Sequence, residues 1–96
     1  MPYAVIAHYR CTAEDAGPIQ EALLTMREHT LREPGNLAYV VHVEEGAESP
    51  GFILYEQYID RAAFDTHTAS GYFAEYVLST IRPRLTERNV LLGSVL

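Results

Sequence analysis

Two histidines are the side chains of this sequence best suited to proton transfer, and one glutamate occupies an unusually apolar setting. His67 lies in the segment DTHTAS, His8 in the apolar segment YAVIAHYRC, and Glu56 inside the apolar run ILYEQYI. An unperturbed imidazole titrates near pH ~6.5, so either histidine can act as a base at neutral pH. A carboxyl group within an apolar strand must be paired or must have a raised pKa. The two histidines predict general acid–base chemistry as candidate bases, and Glu56 is expected to be a structural anchor.

The neighbours of each histidine indicate where its ring points. His67 follows Phe64 by three residues, so His67 shares the helical face of Phe64 and faces a cavity if Phe64 points inward. The structural alternative is a buried His67 that caps Ser70 or a backbone carbonyl. His8 shares a strand face with Ile6, so we expect it inside the protein. The alternative for His8 is a hydrogen-bonded core histidine.

Tyrosines are frequent in this chain, and rings with hydroxyl tips form walls that suit flat aromatic ligands. Ordinary amphipathic packing accounts for most of them, but Tyr72 is close to His67 in sequence. We expect Glu56 to be anchored by a hydrogen bond to Asn36. The side chains expected to bind a ligand are Tyr72, Phe64, Tyr55, Asn36 and Glu56.

Composition and spacing argue against several classes of function. The four histidines include no i, i+4 pair and Cys11 is the only cysteine, so we expect no metal site. No glycine-rich phosphate loop is visible, so we expect neither a nucleotide nor a flavin cofactor. The formal net charge is −6 and the seven arginines are scattered, which disfavours binding to nucleic acid or to an anionic membrane. No signal segment and no apolar run of ~20 residues is present, so we expect a cytoplasmic protein.

Breakers and apolar periodicity predict four strands and three helices in a single domain, residues 1–96, with the last two helices forming one helical segment. Asp15 is the expected N-cap of the first helix, because Pro18 is tolerated only in a first turn. Pro34 ends that helix, and Gly35 is expected to take the positive φ of a sharp turn. The predicted elements are strand Tyr3–Cys11, a helix ending at Arg32–Glu33, strands Leu37–Val43 and Phe52–Ile59, helices 61–68 and 71–81, and a last strand within 84–96.

This order is β-α-β-β-α-β, the ferredoxin-like pattern of an α+β fold. Two helical layers cover one face of a four-stranded sheet, yet all four strands carry apolar residues on both faces. The second face therefore needs a cover, and a second copy of the chain is the simplest one. The sequence predicts a homodimer.

The segment EPGNLAY, followed by LYEQYIDRAAFDTHTASGYF, resembles the antibiotic biosynthesis monooxygenase (ABM) family over nearly the whole chain. The resemblance is to its small quinol-monooxygenase-like members, which are dimeric α+β barrels. It implies that the corner from Glu33 to Asn36 lies at the rim of a cavity between helices and sheet, and that His8 borders this cavity. The matching residues are Glu33-Pro34-Gly35-Asn36, Tyr55-Glu56, Asp60, Phe64, His67, Ser70 and Phe73.

The resemblance implies a cofactor-independent monooxygenase or quinol oxidase that acts with O2 on a small hydroquinone- or anthrone-like substrate. The haem-degrading branch of the family is not expected, because Val77 stands where its axial histidine would be. Since members of one fold differ in reaction, two alternatives stay open. One is a non-catalytic ligand-binding dimer, expected to have a cavity filled by its own side chains. The other is an isomerase of a small polar metabolite, which needs no oxygen.

Overall fold

A computed structural model describes residues 1–96 and confirms the ferredoxin-like α+β fold. Two strands flank each helical segment, as the breakers predict. The second helical segment is irregular, with a short helix, a π-helical stretch named α3 and a single 3-10 turn. The elements are β1 Tyr3–Arg10, α1 Ala13–Leu31, β2 Asn36–Val43, β3 Gly51–Tyr58, α2 Arg61–Thr68, α3 Phe73–Ile81, the 3-10 turn Arg82–Arg84 and β4 Glu87–Ser94.

The four strands form one antiparallel sheet in the order β2-β3-β1-β4. The first strand is central and pairs with β3 on one side and with β4 on the other. Val5 lies opposite Glu56 and Leu92, and Ala7 lies opposite Leu54 and Val90. Because side chains alternate between faces, these residues share one face, which the helices cover. The core sits between that face and helices α1 and α3.

The other face of the sheet has no helix over it, and we call it the open face. It carries exposed apolar side chains, including Ile6 (43% exposed), Val40 (43%) and Leu91 (68%). Apolar patches of this kind on a soluble chain usually mark a contact surface. The homodimer remains a prediction, and the open face is the surface on which it can be tested.

Helix α1 begins earlier than the sequence predicts. Its N-cap is Thr12, whose backbone is extended, and not Asp15. Pro18 therefore lies inside the helix. Its missing N–H leaves the carbonyl of Glu14, an exposed residue four positions earlier, without its usual helical donor. No helix of the protein is both long enough and apolar enough to span a membrane.

The corner after α1 is held by backbone hydrogen bonds and packs closely against α2. The Ile59 amide donates to the Gly35 carbonyl over 2.9 Å, and the Asn36 amide donates to the Glu33 carbonyl over 3.1 Å. Gly35 does not have a positive φ, so that expectation was wrong. A glycine is needed because a Cβ there would lie 2.5 Å from the Cβ of Ala63 in α2. The corner and α2 are thus in direct contact.

Candidate active site

A cavity of about 320 Å³ lies between the covered face of the sheet and helices α2 and α3. Its walls are mainly apolar, and its ionisable members are few. The cavity is accessible to solvent and is not filled by the protein's own side chains, as the binding of a ligand requires. The lining residues are Val5, Ala7, Tyr9, Glu56, Phe64, His67, Thr68, Phe73, Val77, Arg82, Arg88, Val90 and Leu92.

Helix α2 positions His67 in the cavity wall. Asp60 caps this helix, because its Oδ1 accepts from the Ala63 amide over 2.8 Å. One helical turn before the imidazole, Phe64 also lines the cavity, with ring centroids 6.1 Å apart. The edge of His67 meets the face of Phe73 at 5.3 Å. His67 is only 2% exposed, so its ring is fixed by packing on both sides.

A carboxylate from the corner fixes the orientation of that ring. His67 Nδ1 donates to Glu33 Oε2 over 2.9 Å, and the Tyr72 hydroxyl donates to the same oxygen. Glu33 thereby holds the tautomer that leaves Nε2 directed away from it, as a carboxylate does for a catalytic histidine. Burial, together with the hydrogen bond to Glu33, raises the pKa of Tyr72 to about 12, so Tyr72 stays a donor.

Glu33 was not among the site residues predicted from the sequence, although a signal for it exists. The C-terminal end of a helix carries a partial negative charge that favours cations. Glu33 comes just after Arg32, the C-cap of α1. An acid at that place needs another reason to be there. The partner that explains it is His67, 34 residues later in the sequence.

Glu56 faces His67 from the sheet. Its Oε1 accepts from the Tyr58 hydroxyl over 2.6 Å and lies 3.7 Å from His67 Nε2. Burial raises the pKa of Glu56 to about 7; the Tyr58 hydrogen bond opposes this rise, and the negative charge of Glu33 adds to it. Glu56 is thus a carboxyl group that changes charge near neutral pH.

His67 Nε2 and Glu56 Oε1 are neighbours in the cavity wall, although their separation of 3.7 Å is longer than a hydrogen bond. Because Nδ1 of His67 is committed to Glu33, only Nε2 can exchange a proton with the cavity. Glu56 lines the same cavity, so its carboxyl group and Nε2 can both reach a bound ligand. Either member can therefore take a proton from a ligand in the cavity, which is the requirement for a general base.

The predicted bond between Glu56 and Asn36 is wrong. The Asn36 amide donates to the Ala38 carbonyl over 3.0 Å and to the Gln57 carbonyl over 3.4 Å. Asn36 thus ties β2 to β3 and is not in the cavity wall. Tyr72 is also outside the wall: it stacks on His29 at 4.7 Å and supports Glu33. His29 is half-buried under this ring.

His8 and Tyr55 lie on the open face, away from the cavity. His8 Nε2 bonds to Glu44 Oε1 over 3.0 Å, and Gln57 donates to the Tyr55 hydroxyl over 2.7 Å. The placement of both residues in the cavity was wrong, because alternation sends them to the face opposite Val5 and Glu56. The structure brings together His67, Glu56 and Phe64 from the predicted set and adds Glu33.

Two arginines also line the cavity without having been predicted. Arg82 comes from the 3-10 turn and Arg88 from β4, and both side chains are exposed at the mouth. Both favour the ionised form of Tyr9, whose pKa burial nevertheless raises. No sequence pattern marked them, because six residues and a change of element separate them.

Comparisons with known proteins agree with this architecture. A family model described as antibiotic biosynthesis monooxygenase matches residues 2–78. The structure of Rv0793 from Mycobacterium tuberculosis is 27% identical, with a TM-score of 0.86 over 100% of this chain and 96% of that one. A crystal structure of an antibiotic biosynthesis monooxygenase is also 27% identical, with a TM-score of 0.87 over 98% of each chain.

A more distant likeness concerns the fold alone. A conserved protein from Bacteroides thetaiotaomicron, described as a possible oxidoreductase, has a TM-score of 0.90 at 18% identity, over 98% of this chain and 97% of that one. No functionally curated protein matches the sequence.

Proposed function

The chain belongs to the antibiotic biosynthesis monooxygenase family, and we propose that it is a cofactor-independent monooxygenase acting on a small hydroquinone- or anthrone-like substrate. The observation that carries this proposal is the buried pair of Glu56 and His67 in an open, largely apolar cavity. A pair of this kind supplies the base that an electron-rich phenol needs before it can react with O2.

Each residue of the site has a separate role in this proposal. The substrate hydroxyl gives its proton to Glu56 or to Nε2 of His67, and Glu33 keeps the imidazole in place through Nδ1. The cavity walls around Phe64 and Phe73 hold the aromatic plane and exclude water. Proton removal leaves a substrate anion that is a good one-electron donor.

Oxygen chemistry then follows from the anion. The anion gives one electron to O2, and the resulting superoxide and substrate radical combine through a new C–O bond to a hydroperoxide. Loss of the proton on that carbon and cleavage of the O–O bond form a carbonyl group and release water. One oxygen atom enters the product and one enters water, and the substrate supplies all four electrons. The proposed reaction thus needs no added reductant.

We further propose that the working form is a homodimer. The support for it is the apolar open face, where Ile6, Val40 and Leu91 are exposed. A second copy covering this face would leave the cavity on the opposite face accessible. The expected interface resembles a divided core and exceeds roughly 2,000 Å².

Oxygen uptake tests the function directly. The protein is mixed with a panel of hydroquinones and anthrones under chelation, and O2 consumption is compared with the uncatalysed blank. We expect turnover above blank for at least one member, with one atom of labelled oxygen in the product. Absence of turnover over the whole panel would count against the proposal.

An isomerase of a small metabolite is the second candidate, and the Glu56–His67 pair favours it also, because proton shuttling between two carbons needs an acid and a base. The two candidates differ in their need for oxygen. Turnover that persists in an anaerobic chamber would favour the isomerase, and turnover that stops there would favour the monooxygenase.

A further inference from the structure

We propose that the substrate carries a carboxylate, which Arg82 and Arg88 bind at the mouth of the cavity. The inference rests on the proposed function for the rest of the substrate, and it adds the chemical group that sets specificity. It would make the protein selective for hydroxylated aromatic acids over neutral quinols of the same size.

The two arginines have no acidic partner within the chain. Both line the cavity, yet neither forms an ion pair. Arg88 also contacts the neutral Tyr9 hydroxyl, but no acid neutralises either guanidinium group, so both keep their charge for an external anion. By contrast, three other arginines are each paired with an acid, in the pairs Arg10–Glu44, Arg61–Asp65 and Arg84–Asp15.

The charge of the cavity is opposite to that of the molecule. The formal net charge of the chain is −6, but the cavity contains two permanent cations. Its one carboxyl group is Glu56, which is largely uncharged below neutral pH because burial raises its pKa to about 7. An anion entering the mouth is thus attracted by charges that the protein does not neutralise itself.

The guanidinium group suits a carboxylate in particular. Its planar array of N–H donors matches the two oxygens of a carboxylate, and such charge-assisted bonds are stronger than neutral ones. Arg82 and Arg88 approach from two different elements, so they can bind one group from two sides. Both also act on Tyr9, which places them at the same end of the cavity.

The remaining walls fix how such a ligand would lie. Apolar side chains such as Val5, Ala7 and Val90 line the sheet side, and Phe64 and Phe73 line the helix side. A volume of about 320 Å³ is near the lower end of the usual range for ligand sites, and it suits one ring or two fused rings. With the carboxylate at the arginines, the ring extends toward Glu56 and His67.

The test uses a ligand whose binding can be followed without turnover. The fluorescent probe 1-hydroxy-2-naphthoate is titrated against the full-length protein, and its methyl ester serves as the uncharged match. We expect the acid to bind about 10- to 100-fold more tightly than the ester. Its affinity should fall between about 50 and about 500 mM NaCl, while that of the ester stays constant.

Variants assign the effect to the two arginines. We expect Arg82→Gln and Arg88→Gln each to weaken binding of the acid by about tenfold or more and to leave the ester unchanged. Arg84→Gln is the matched control, because it removes the same charge two residues from Arg82 but outside the cavity. It should leave both affinities within about twofold.

Two outcomes would overturn the inference. One is equal binding of acid and ester by the unmodified protein, a result that does not depend on how any variant folds. The other is an equal loss in all three arginine variants, which would show a general effect of charge. The proposed function fails separately: tight, arginine-dependent binding of the acid without any oxygen uptake across hydroxylated aromatic acids would keep the carboxylate site and reject the monooxygenase.

Discussion

Replacing Glu56 by glutamine should change how the stability of the protein depends on pH. Burial raises the pKa of Glu56 from its usual 4.5 to about 7. Below pH ~4.5 the carboxyl is protonated in both the folded and the unfolded chain. Between the two values the unfolded chain releases the proton while the folded protein keeps it, so the free energy of unfolding falls as pH rises. Well above about pH 7 the carboxyl is ionised in both states, and the free energy of unfolding no longer falls because of Glu56.

The size of the effect follows from the two pKa values. A difference between 4.5 and about 7 corresponds to roughly 3 kcal/mol, at about 1.4 kcal/mol per pH unit. Glutamine is uncharged at every pH and can still accept from Tyr58. The difference in free energy of unfolding between Glu56→Gln and the unmodified protein should therefore shift in favour of the variant by roughly 2–3 kcal/mol as the pH rises from about 5 to about 9.

Urea unfolding across this pH range measures the effect, at a fixed protomer concentration because a dimer would make stability depend on it. Glu45→Gln, at an exposed position, is the matched control and should follow the unmodified protein. Parallel curves for the Glu56 variant and the unmodified protein would refute the reasoning. Glu56 would then not titrate as a buried, uncompensated carboxyl.

Four further outcomes follow from the same geometry. Removing the imidazole in His67→Ala should lower kcat by ~10²–10⁴. Because Glu33 then loses one of its two donors, the variant should also lose roughly 1–3 kcal/mol in urea unfolding, and full activity in a stable variant would contradict this. Tyr58→Phe removes a bond that lowers the pKa of Glu56, so the rising limb of the pH–rate profile should move to higher pH and not stay in place. A methyl group in Gly35→Ala would overlap helix α2 and should destabilise the fold by roughly 1–3 kcal/mol in the same assay, and an unchanged midpoint would contradict the contact. Ile6→Glu on the open face should give monomers in sedimentation, whereas a persistent dimer would place the interface elsewhere.

The His67 variant should lose both activity and stability, because His67 is tightly packed. A loosely packed ring would have allowed catalysis and stability to be separated by one substitution. In the structure, His67 is 2% exposed and its backbone carbonyl also accepts from the Ser70 hydroxyl over 2.7 Å. The residue therefore has structural and chemical contacts at once, and only the pH–rate profile distinguishes them.

The order of elements was predictable from the sequence because each boundary has a local cause. Pro34 ends the first helix, Asp60 caps the second, and alternation marks the strands around them. The start of α1 was not predictable in this way. Proline is penalised inside a helix on average, but the penalty at Pro18 depends on the exposure of one carbonyl, which is a tertiary property.

The site was only partly predictable, and strand alternation explains both the success and the failure. Tyr55 and Glu56 are adjacent in β3, so they cannot both line one cavity. Apolarity did not say which face is covered, since Ile6 beside His8 on the open face is as apolar as Val5 on the covered one. Contacts over long sequence separation, such as Glu33 with His67, have no local pattern to mark them.

Burial of Glu56 also lowers the free energy needed to transfer a proton from a phenol to its carboxylate. A phenol has a pKa of ~10, so an exposed carboxylate at 4.5 is too weak a base by more than five pH units. Raising the pKa of Glu56 to about 7 reduces that mismatch by roughly 3 kcal/mol. The proton transfer moves one negative charge from Glu56 to the substrate oxygen within the same cavity. Arg82 and Arg88 line the same cavity, so the transferred charge stays in a cavity that also holds two cations.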